Sequence, residues 1–142
     1  MIDSKVIKEM AYQKGADICG IATADRFIDT PKGFHPCDIY TDCQSGVVFA
    51  SRFPSSTLLA ATNAPYAFVR NCMVAKLDGI SFQLSDELEK KGVASVPIPS
   101  ADPYDYLEQD QNYGRGILSL KHAGWLAGIG KLSKNTLLLN QA

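Results

Sequence analysis

Between residues 65 and 91 the chain places Val69, Met73, Leu77, Ile80, Leu84 and Leu88 three or four positions apart. That period puts them on one stripe of a single long helix, and the stripe must be covered by other parts of the fold. Pro65 suits the first turn of such a helix and Gly92 its end. The stripe holds no residue with cofactor chemistry, so it is a packing surface. A helix with one apolar side needs a second layer, and the rest of the chain has to supply it.

Asp3 caps a first helix whose apolar side is Val6, Ile7, Met10 and Ala11, with Gly15 as its stop. Residues 16–23 read as a buried strand. An irregular stretch punctuated by Pro31, Gly33 and Pro36 follows, and residues 46–53 form a second strand that Pro54 breaks. The stretch 93–98 is predicted as a third strand, bounded by Pro97 and Pro99. Residues 100–113 form a polar loop with Asp102, Asp105, Glu108 and Asp110. These acids lack the spacing of a calcium loop and read as solvated surface. Residues 119–127 are a helix with Ser119 as cap, Gly128-Ile129-Gly130 ends it, and residues 136–139 are a last strand. Helices and strands alternate without repeat or linker, which predicts one α+β domain over 1–142, a central sheet flanked by helices.

A chain of 142 residues buries roughly 68–70% of its unfolded surface, enough to fold without disulfides. Its net charge of −1, with no block of like charges, gives no electrostatic case for nucleic acid or an anionic membrane. The N-terminus lacks a basic stretch followed by an apolar core, and no apolar run is long enough to span a bilayer. The expectation is a cytoplasmic protein with reduced cysteines.

No two of Cys19, Cys37, Cys43 and Cys72 form a C-x-x-C pair, so neither a zinc ribbon nor a thioredoxin-type site is encoded. Cys19 and Cys72 sit in apolar segments and read as core residues. Cys37 and Cys43, with His35, Asp38 and Asp42 nearby, offer a mixed donor set that matches no common metal spacing. They read as a loop, and no metal site is assigned.

The segment 128–136 (Gly-Ile-Gly-Lys-Leu-Ser-Lys-Asn-Thr) invites a phosphate-loop interpretation and fails it. A Walker loop needs glycine directly before the lysine and Ser or Thr directly after, and it opens a helix rather than ending one. A dinucleotide fingerprint fails for the same reason. Two uses remain open: a helix cap followed by a turn, or a backbone that a large ligand approaches closely.

This segment nonetheless carries a resemblance. Gly114-Arg115-Gly116-Ile117-Leu118-Ser119-Leu120-Lys121-His122-Ala123, then Ala127-Gly128-Ile129-Gly130 and Lys134-Asn135-Thr136-Leu137-Leu138-Leu139, resembles the end of the N-terminal domain of epoxyqueuosine reductase-like proteins, which group with the reductive dehalogenases. Upstream, Lys14-Gly15-Ala16-Asp17, Pro31-Lys32-Gly33-Phe34-His35-Pro36, Tyr66 with Val69-Arg70-Asn71, and Pro97-Ile98-Pro99-Ser100 extend it over nearly the whole chain.

The resemblance implies a nitroreductase-like α+β fold that cradles a corrinoid, cobalamin. It also implies an iron–sulfur domain or protein as electron donor. By the same resemblance, Ser119, Lys121, His122, Gly128, Gly130, Lys134 and Asn135 bind the cofactor, and Tyr113 is the proton donor. The chain departs from that pattern in three places. No C-x-x-C-x-x-C run supplies ligands for a 4Fe-4S cluster, and the chain stops at Ala142, where the resemblance puts the start of the cluster domain. No acid occurs in Tyr113-Gly114-Arg115-Gly116, where the queuosine enzymes carry an aspartate. Ser133 stands in place of a glycine.

The leading expectation is a corrinoid-binding domain separated from its iron–sulfur half. The alternatives are a non-catalytic interaction or regulatory domain, which would cover its apolar surface by forming a homodimer, and, by fold analogy alone, a flavin-binding nitroreductase-like protein.

Overall fold

The computed structural model describes residues 2–103, 106–108 and 113–140, with backbone alone at 106–108, 113 and 115. Asp3 caps helix α1 (Ser4–Gln13), its carboxylate accepting from the Lys5 N–H at 3.0 Å. Strand β1 (Ile18–Thr23) pairs antiparallel with strand β2 (Ser45–Ala50), Ile18 opposite Ala50 and Thr23 opposite Ser45.

This pair is the middle of three layers. On one face, Met10 and Ala11 of α1 and Leu84 and Leu88 of helix α3 (Ala64–Lys90) form a core with Cys19, and Val47 and Phe49 pack against it. On the other, Ala123 of helix α4 (Leu120–Leu126) packs with Ala22, Phe27 and Val48. Side chains alternate along a strand, so β1 and β2 serve both helical layers only by being apolar on both faces. The layers approach closely at Gly20: a Cβ there would lie 2.4 Å from the Ala127 carbonyl oxygen.

The long helix forms as its period predicts, but its stripe divides. Ile80, Leu84 and Leu88 are buried, whereas Val69, Met73 and Leu77 are only half-covered. The first half projects beyond the sheet, and Phe68 on it is 69% exposed. Cys72, expected in the core, is exposed on this same half, while Cys19 is buried.

The predicted third strand at residues 93–98 does not form. Pro97 and Pro99 have no N–H to give a ladder. The carbonyls that would accept are taken by α3 instead: Ser85 Oγ donates to the Ser95 oxygen at 2.9 Å and Ser81 Oγ to the Ile98 oxygen at 3.3 Å. Asp78 then accepts from both the N–H and the hydroxyl of Ser100 at 2.8 Å. Asp78, Ser81 and Ser85 lie three and four positions apart, so one side of α3 holds the stretch as an extended strap.

The expected polar loop over 100–113 contains an unforeseen pair, strand β3 (Tyr106–Glu108) antiparallel to strand β4 (Tyr113–Arg115). Asp105 and Asp110 lie outside the described residues, and Asp102 is exposed. A last hairpin joins strand β5 (Lys131–Leu132) to strand β6 (Leu138–Leu139), so the final strand is shorter than expected. The architecture is mixed α and β; among the described residues its middle layer has two strands, and the remaining sheets are two-stranded as well. Among the described residues no helix is long and apolar enough to cross a membrane.

Candidate functional site

The residues singled out in the last third of the chain fall into two groups. Ser119, Lys121 and His122 come together at the start of α4. Ser119 occupies the N-cap position, yet its hydroxyl does not cap; its oxygen lies 2.6 Å from His122 Nδ1. Among the described residues, no N-cap side chain accepts from the first N–H groups of α4. Lys121 and His122 are exposed, and Lys121 also lines the cavity described below.

The second group sits at the hairpin. Lys134 and Asn135 are exposed in the turn between β5 and β6, where Asn135 Oδ1 accepts from the Leu137 N–H at 3.2 Å and Thr136 adopts φ +64°. Asn135 therefore shapes the turn, since asparagine commonly bonds its own backbone two residues on. The glycines differ from each other. Gly128 has φ +75° and ends α4, its N–H bonded to the Trp125 oxygen at 3.0 Å, and a Cβ there would meet nothing within 4 Å. Gly130 is packed shut: a Cβ would lie 2.7 Å from the Leu139 oxygen, so its small size serves the hairpin and not a ligand. Tyr113 has its backbone in β4, and its side chain lies outside the described residues.

The loop with two cysteines is built around His35, which caps the short helix α2 (Pro36–Ile39). Nδ1 accepts from the Cys37 N–H at 3.1 Å, which places the ring proton on Nε2, 3.1 Å from the Ala24 oxygen. Asp38 accepts from the N–H groups of Gly33 and His35. These donors are spent on the turn. Among the described residues no group of three His, Cys, Asp or Glu side chains is placed to hold a metal. Burial raises the Cys43 thiol above its ordinary pKa, and the nearby Cys37 raises it further, against a hydrogen bond to the Ser45 backbone.

One opening was not anticipated from residue types. It is a cavity of about 670 Å³ bounded by every residue of β2 and by none of β1. Leu84 and Leu88 close it on the α3 side, Leu118 and Ala123 on the α4 side, and the strap from Val93 to Ile98 lies across from β2. Its volume is in the range of ligand and cofactor sites. A hint was present in the sequence: Val47-Val48-Phe49-Ala50 is apolar on both faces, the mark of a strand inside a larger sheet.

No protein-family model matches this chain, and neither does any curated protein or solved structure.

Proposed function

We propose that this chain is a corrinoid-binding domain of nitroreductase-like type, resembling that of the epoxyqueuosine reductases and reductive dehalogenases, and that it works with an iron–sulfur domain or protein as electron donor. One observation carries this. The segment with the resemblance folds as a unit that presents Ser119, Lys121 and His122 together at the start of α4, with the open side of Gly128 at the helix's other end.

The side chains fit a ligand with amide and phosphate groups on its rim. Lys121 supplies a cation, the Ser119–His122 pair a donor and an acceptor, and the uncapped N–H groups of α4 further donors. Lys134 on the hairpin turn adds a second cation. Gly130 and Asn135 do not join them, being committed to the hairpin. A bound corrinoid would supply the electron transfer itself, and the protein's part is to bind and orient it. No acid stands where the queuosine enzymes have theirs, so protonation falls to Tyr113 or to solvent.

Titration of the full chain with hydroxocobalamin and with cobalt(II) cobalamin should shift the corrin absorbance. Lys121→Ala and His122→Ala should each weaken binding by roughly 2- to 12-fold, the worth of one hydrogen bond. An unchanged spectrum with both forms sinks the proposal.

A second reading, a non-catalytic dimerising domain, is favoured by exposed apolar side chains along α3. Tyr66 and Phe68 there, and Phe82 further along, are exposed apolar side chains on one helix.

A further inference from the structure

The pairing pattern of the middle sheet determines which way the backbone of β2 faces. The Ala24 N–H bonds to the Gln44 oxygen at 2.9 Å, and Ala24 and Gln44 stand opposite each other one step beyond the Thr23–Ser45 pair. Hydrogen-bonded pairs alternate along an antiparallel ladder. Gly46, Val48 and Ala50 are therefore bonded to β1, and the N–H and C=O groups of Val47 and Phe49 point the other way. That side is the cavity, because all of β2 lines it and none of β1 does. The strap beyond gives them no partner: its carbonyls at Ser95 and Ile98 accept from α3.

The cavity thus lies in the plane of the sheet, roofed by Leu84 and Leu88 and floored by Leu118 and Ala123, beside a strand edge with its polar backbone turned inward. Six residues of strand span roughly 20 Å. Val47 and Phe49 are half-buried, and a strand edge with unpaired N–H and C=O groups is a template for pairing with an extended polypeptide.

We propose that this slot is a strand-acceptor site, taking an extended segment of a partner polypeptide as a third strand of the middle sheet. The slot meets the proposed corrinoid site at Lys121, which lines both, but its test is read at the backbone of Val47 and Phe49, which pack on the face of the sheet away from α4. Both walls are apolar, so the segment is apolar on both faces at its centre. Asp42 and Lys121 are the charged side chains among the described lining residues, so the segment carries a cation and an anion to meet them. A second copy of this chain is a poor donor. The β2 edge of a second copy lies between its own roof and floor, which would meet those of this copy before the two edges could pair, and the strap is tied to α3 and contains Pro97.

The probes are blocked, fluorescently labelled heptapeptides with three central β-branched residues, lysine at one end and glutamate at the other, made in both charge orders. In the full chain alone, amide exchange by NMR should be faster at Val47 and Phe49 than at Gly46, Val48 and Ala50. One charge order should bind saturably and slow exchange at Val47 and Phe49 at least roughly tenfold. Val47→Pro removes an N–H that faces the slot and leaves the β1 ladder intact, so it should melt as a folded protein and bind the probe roughly tenfold more weakly or worse. If that variant does not fold, the exchange data decide alone. The proposal is overturned by absence of binding in both charge orders or by equal binding to folded Val47→Pro. It is also overturned by Val47 and Phe49 already as protected as Val48 in the chain alone, or by protection that grows with protein concentration without probe.

Discussion

At the residue scale, what a side chain does here depends on what is packed against it. Gly20 sits in an apolar strand, and its missing Cβ is what admits the end of α4. A Cβ would meet the Ala127 oxygen at 2.4 Å and Ile129 Cγ2 at 2.7 Å. Backbone cannot swing aside as a side-chain tip can, so Gly20→Ala should destabilise the fold by about 1–3 kcal/mol, measured by urea unfolding. An unchanged midpoint would mean that α4 does not sit on β1 as described. His35 makes the same point for chemistry. Beside two cysteines and two aspartates it stands in a stretch that read as a loop, and both its ring nitrogens are engaged by backbone.

At the element scale, α1, α3 and α4 were legible because a helix stripe and its caps are local signals. How they are joined was not. The Lys14 ammonium pairs with the Glu87 carboxylate, linking the end of α1 to α3 across 73 positions of sequence. The hydrogen bond from Lys14 holds the Glu87 carboxyl below its ordinary pKa. A depressed carboxyl stabilises the fold fully above its unfolded value, about 4.3, and loses that contribution as pH falls through the lower folded value. The stability difference between the wild type and Lys14→Met should therefore be constant near neutral pH and shrink on acidification below pH of about 4. A difference that persists unchanged at low pH would show that the pair adds nothing. The strap at 93–98 was misjudged as a strand for a related reason. Its composition suits a strand, but the hydroxyls that claim its carbonyls sit on a helix ten or more residues earlier.

At the scale of the whole molecule, the described residues leave open the slot beside β2 and a set of exposed apolar side chains along α3. If the latter is a dimer face, sedimentation equilibrium should show a dimer, and the double substitution Phe68→Glu with Phe82→Glu should give a monomer that melts as the wild type does. A wild type that remains monomeric at high concentration removes the dimer from consideration. The sequence alone determined α1, α3 and α4, the two long strands, the failure of the phosphate-loop pattern, and the resemblance in the last third. Each of these is written in neighbours a few positions apart. Only the tertiary structure decided that the middle sheet stops at two strands, that Gly130 closes a hairpin while Gly128 stays open, and that Ser119 serves His122 and not its own helix. Those outcomes depend on which distant groups compete for the same hydrogen bonds and the same space, and no local pattern records the result of that competition.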